Sequence, residues 1–125
     1  VGIRIGLAEL ARAGTRMGLS RRTGIDLPAE NPGIYPTGLD WYREQFGTPP
    51  VPSDVMSLAI GQGPNSQTPL RLAYIYSAIA GNGTSPRPHL VRGQVGEEGA
   101  IDLGMDATAL EALWEGLRLV TELIT

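Results

Sequence analysis

The chain has 125 residues, 42% of them hydrophobic, and a formal net charge of −3. It is long enough for one packed domain with a single core, and its 17 glycines and 10 prolines stay below the level that reads as disorder. All ten basic residues are arginine and lie scattered, with no cysteine and a single histidine, which excludes a disulfide framework, thiol chemistry, a Ser/Lys nucleophile pair within these residues and a basic nucleic-acid face.

Ile3, Leu7, Leu10, Ala11 and Met17 fall at helical spacing, with Arg4, Glu9, Arg12 and Arg16 opposite. One amphipathic helix is expected, weakened in its last turn by Gly14 and stopped by Gly18. Prolines then recur at 28, 32, 36, 49, 50 and 52, too often for a long helix or a central strand. Only apolar islands survive there: Ile25 to Leu27, Ile34-Tyr35, and Trp41-Tyr42 with Phe46. An irregular stretch of this length, carrying these aromatics, is expected to cover a neighbouring surface.

Thr68-Pro69 starts a helix, because threonine can cap free amides and proline's fixed φ suits the first helical position. Leu72, Ala73, Tyr76, Ile79 and Ala80 mark its expected packed face, and Gly81-Asn82-Gly83 ends it. The small residues among these suggest a centrally buried element. Pro88 to Val91 and Ala100 to Leu103 flank Gly96-Glu97-Glu98-Gly99 and read as a β-hairpin. A last helix follows, with Thr108 and Glu111 at capping-box spacing and a stripe of Leu110, Leu113, Trp114, Leu117 and Val120. No apolar run approaches the ~18 residues that span a membrane.

Few residues invite chemistry. His89 sits between Pro88 and Leu90, with no nucleophile and acid patterned around it. One histidine without cysteine cannot build a usual zinc site, and neither metal nor cofactor is expected. Glu97-Glu98 reads as a solvated turn, and Arg21-Arg22 as a solvated pair beyond a helix end, though the pair could bind an anion. Gly61-Gln62-Gly63 is too short for a phosphate loop and lacks its lysine; it reads as a tight turn where the backbone packs closely on another element.

Gly18-Leu19-Ser20-Arg21-Arg22-Thr23-Gly24-Ile25-Asp26-Leu27-Pro28, with Glu30, resembles the Gly-Leu-Gly-x-x-Thr-Gly-Ile-Asp-Leu-Pro-x-Glu segment of class B penicillin-binding proteins. Ser57 to Gly63, then Thr68-Pro69-Leu70 and Leu72-Ala73, resemble that family's next signature; Tyr76, Ala78 to Ala80, Asn82-Gly83 and Arg87 to Val91 extend it. The match departs at Ser20, where the family has glycine, and at Arg71, where glutamine is commoner.

The resemblance implies an α+β fold, this chain being a mostly helical fragment of a transpeptidase (β-lactamase-like) domain with a short β-hairpin. It implies a peptidoglycan D,D-transpeptidase that cross-links stem peptides through a serine acyl-enzyme and is acylated by β-lactams. The motifs that carry this, Ser-x-x-Lys, Ser-x-Asn and Lys-Thr-Gly, are absent from these residues. In the family order this stretch lies between the second and third.

Residues 1–125 are thus expected to be a partial transpeptidase domain cut at both ends: the chain opens on Val1 with its periodicity already running and closes on Leu119 to Thr125 without a polar tail. No catalytic residue is expected here, and Gly61, Gln62 and Gly63 are a candidate wall near the substrate cleft. The expected partners are the remainder of the domain and, for the parent, stem peptides and β-lactams; self-association of the fragment is also expected. The resemblance places a membrane-anchored parent on the extracytoplasmic, periplasmic side of the bacterial inner membrane, with no anchor in this chain. A non-catalytic cell-wall interaction module and a β-lactam sensor or β-lactamase-like domain remain alternatives.

Overall fold

A computed structural model describes residues 1–93 and 100–123. In chain order the elements are α1 (Gly2–Ile5), α2 (Leu7–Arg16), α3 (Leu39–Phe46), α4 (Pro52–Ala59), α5 (Pro69–Ala80), β1 (Thr84–Ser85), β2 (Ile101–Asp102) and α6 (Ala107–Leu123). About half of the chain is helical and the two strands pair antiparallel, so the α+β assignment holds.

The single N-terminal helix read from the periodicity is two. Gly6 adopts φ 81° and ψ 161°, a backbone conformation that glycine enters readily and other residues do not. The break turns Ile3 out of the stripe, where it is largely exposed, while Leu7 and Ala11 stay buried. Gly14 serves the packing: the Tyr35 ring lies where a side chain would be, 2.1 Å from an ideal Cβ. From there the Tyr35 hydroxyl donates to the Leu10 carbonyl at 2.9 Å. Past the helix end, Gly18 takes φ 72° and Ser20 takes φ 64°. Ser20 thus holds a left-handed conformation where the resembling family carries glycine, and its hydroxyl donates to the Tyr35 carbonyl at 3.1 Å.

The proline-rich stretch holds no long helix, as read, but admits two short ones. Helix α3 carries the aromatic island, with Trp41 set edge-on to Tyr42 at a ring separation of 5.3 Å. Helix α4 begins at Pro52, and Asp54 reaches back to accept from the Val51 N–H at 2.8 Å. Proline costs little in a first turn, whose amides lack intrahelical partners anyway.

The core is two clusters, where composition suggested one. Leu7, Tyr35, Tyr42 and Leu58 form the first, from α2, α3, α4 and the intervening loop. Tyr74, Ala78, Ile101 and Leu103 form the second, from α5 and the segment around β2. The strands pair Thr84 with Asp102 and Ser85 with Ile101. The expected first strand, Pro88 to Val91, is not one; that segment is held by Asp26 instead, and the expected turn at Gly96 to Gly99 lies outside the described residues.

Helix α5 starts as read, with the Thr68 hydroxyl accepting from the Arg71 N–H at 3.1 Å. Its buried residues, however, are Arg71, Tyr74 and Ala78, whereas Leu72 and Tyr76 are exposed and Ile79 is half-buried. It is not a central helix buried all round: α2 buries as many residues. In α6 the cap is Asp106, whose carboxylate accepts from the Ala109 N–H at 2.8 Å; Thr108 lies inside the helix. Of the α6 stripe only Leu110 is buried.

Candidate functional site

The stretch from Gly18 to Glu30 is organised by two carboxylates. Glu30 accepts from the Thr23 N–H at 2.6 Å through Oε1 and from the Gly24 N–H at 3.1 Å through Oε2. Burial pushes its pKa up, but the Thr23 and Gly24 amides, the Thr23 hydroxyl and the Arg71 charge together hold it below the ordinary value of 4.5. Asp26 bridges the chain: its two oxygens accept from the Leu90 and Val91 amides at 2.7 and 2.8 Å. Those amides, Leu90 first, hold its pKa below the ordinary 3.8. The Thr-Gly-Ile-Asp-Leu-Pro-x-Glu pattern is therefore a pair of backbone clamps, the second reaching 64 residues along the chain.

Gly61, Gln62 and Gly63 form the exposed turn that leaves α4. The Gln62 N–H donates to the Ser57 carbonyl at 2.8 Å and the Gly61 N–H to Leu58 at 3.1 Å. Both glycines take positive φ, 78° and 70°, yet a Cβ on Gly61 would meet nothing within 4 Å and one on Gly63 would make an ordinary 3.6 Å contact with Ser57. Their role is backbone conformation, and the close packing expected from the sequence is absent. His89 is exposed, with Nδ1 3.3 Å from the Arg87 carbonyl oxygen. Arg21 and Arg22 are exposed past the end of α2. Glu97 and Glu98 lie outside the described residues. No nucleophile, base and acid are brought together by these placements.

Two features escaped the sequence. Between α5 and α6 runs a groove of about 630 Å³ whose apolar floor includes Tyr76, Ile79, Trp114 and Leu117. Arg118, ion-paired with Glu115 at 2.8 Å and with Glu122, lies along it. The stripes of both helices were legible, but not that they face each other across open space. The second is Arg71, only 3% exposed. It donates through Nη2 to the Arg21 carbonyl and lies over the Tyr74 ring at 5.7 Å. Burial depresses its pKa, against the pull of Glu30 and Tyr74.

The penicillin binding protein transpeptidase domain family matches residues 1–122, and the chain belongs to that family. It is 31% identical over 88 residues to the peptidoglycan D,D-transpeptidase MrdA of Acinetobacter baumannii, covering 70% of this chain and 13% of that protein. It is 33% identical over 85 residues to the penicillin-binding protein PbpB of Mycobacterium tuberculosis, covering 68% of this chain and 11% of that protein. Among solved structures, the penicillin-binding protein PBP2 of Helicobacter pylori, in complex with MreC, superposes with a TM-score of 0.76 at 27% identity, over 90% of this chain and 20% of that one. The chain thus spans about an eighth of the length of the curated relatives it matches. Among the described residues no helix is long and apolar enough to cross a membrane.

Proposed function

We propose that this chain is a scaffold segment of a larger D,D-transpeptidase domain, positioned between its Ser-x-Asn and Lys-Thr-Gly motifs. The observation that carries this reading is the family match over residues 1–122 in a sequence without lysine. The parent's serine, activated by the lysine of Ser-x-x-Lys, attacks the D-Ala-D-Ala carbonyl of a stem peptide; D-Ala leaves, and the amine of a second stem peptide resolves the acyl-enzyme. β-Lactams acylate the same serine. The contribution of this chain is geometric. Its clamps hold the segment as a rigid unit, and the exposed Gly61-Gln62-Gly63 turn forms part of a wall beside the cleft. The rest of the domain covers the apolar groove between α5 and α6; without that cover the fragment associates with itself, because uncovered apolar patches of this kind mark interfaces. The parent is membrane-anchored and works on the periplasmic side of the inner membrane.

A fluorescent penicillin tests this. The parent is expected to take up covalent label on a serine outside these residues, and this chain alone none. Label mapped by mass spectrometry to a serine of this chain would overturn the reading.

A further inference from the structure

We propose that the cavity at the C-terminal end of α2 is an oxyanion site, taking a carboxylate or a phosphate group with Arg71 as its fixed donor. The cavity holds about 300 Å³ and is lined by Arg16, Arg21, Arg22 and Arg71, with Asp102 as its one acidic side chain. That is four of the ten cationic residues of a chain whose net charge is −3. Arg16, Arg21 and Arg22 are exposed, and none of them forms an ion pair among the described residues.

The observation that sets this apart from a solvated arginine cluster is Arg71. Its guanidinium is nearly inaccessible, and its Nε has no hydrogen-bond partner among the described residues. The acceptor it does have is a neutral carbonyl, that of Arg21. Nη1 lies beside Gly18, so close that a Cβ there would stand 2.8 Å from it. Glu30 attracts Arg71 electrostatically, but neither nearby carboxylate is hydrogen-bonded to the guanidinium. Glu30 gives both oxygens to backbone amides, and Asp102 accepts from the Gly104 N–H at 2.8 Å. Removing a cation from water without a hydrogen-bonded counter-charge is costly. A bound oxyanion would meet that cost. The planar guanidinium fork matches carboxylate and phosphate geometry and gains charge-assisted bonds with either. The cavity admits a small anionic group.

The site is built from this chain's own residues, so its test is separate from penicillin labelling of the parent. Thermal unfolding and titration calorimetry are run on the protein with the rest of its transpeptidase domain, against sodium phosphate, sodium acetate and sodium chloride at matched ionic strength. Saturable stabilisation by phosphate or acetate beyond that of chloride is expected. A response to phosphate alone assigns a phosphorylated ligand; a response to acetate assigns a carboxylate. Arg71→Gln keeps a polar side chain with N–H donors beside the Arg21 carbonyl and removes the charge, so the fold is expected to tolerate it; it should weaken anion binding by roughly ten- to hundred-fold. The surface double substitution Arg16→Ser/Arg22→Ser, which leaves the core alone, should also weaken it. Equal stabilisation by chloride, or an anion response unchanged in Arg71→Gln, would overturn the proposal and leave Arg71 a purely structural strut.

Discussion

Replacing Glu30 by alanine removes both acceptors of the first clamp at once. The Thr23 residue is only 3% exposed, so its N–H loses a 2.6 Å bond with no water at hand to replace it. Leaving a buried donor unpaired costs about 1–3 kcal/mol. Gly24 is exposed, so water can take over its 3.1 Å bond and that loss is small. The expected destabilisation is therefore about 2 kcal/mol, a large fraction of the ~5–15 kcal/mol that holds a typical domain together. Glu30→Gln keeps one acceptor for Thr23 but turns an amide NH2 toward the Gly24 N–H, so it should fall between wild type and alanine. Urea melts of the three proteins with the rest of the domain present would measure the series. If alanine lies within about 0.5 kcal/mol of wild type, the ordinary range for an uninvolved surface change, the clamp is not holding Thr23 and its assignment fails.

Acid should loosen the same region. Asp26 and Glu30 both titrate below their ordinary values of 3.8 and 4.5 in the folded chain. Their contribution is thus present above those values and lost as pH falls through the lower folded ones. Tm should drop between about pH 5 and 2.5, more steeply in wild type than in Asp26→Asn or Glu30→Gln; parallel profiles would exclude the clamps as the acid-sensitive element. Ala78 is fully buried, so Ala78→Asp should abolish folding, since an unpaired buried carboxylate costs several kcal/mol. Ile79→Asp should be milder, because that side chain is only half-buried at the margin of the second cluster; circular dichroism melts showing the reverse order would mean that the wrong face of α5 has been taken as buried.

Sequence by itself determined the features that are decided within a few residues. The start of α5 was legible because Thr68 and Pro69 satisfy and pre-set its first turn locally. The family was legible because several motifs stand in order at their proper spacings. The signal for α4 was also present in Pro52 and Asp54, but the frequency of prolines masked it. Gly6, one glycine in an otherwise helical pattern, gave no hint that it would break the helix.

The tertiary structure alone decided which faces are buried. Helix α5 is apolar nearly all round, so Leu72, Tyr76 and Ile79 were as good a stripe as Tyr74 and Ala78, until β2 and Leu103 came to rest on the latter side. Arg71 is buried although it is a cation, because residues from Gly18 to Arg21 fold over it. Asp26 met Leu90 and Val91 across 64 and 65 residues of chain. Hydrogen-bond capping and proline geometry are short-range and can be read along one dimension. Burial is a property of whatever packs against a surface, and for this chain those partners arrive from far along the sequence.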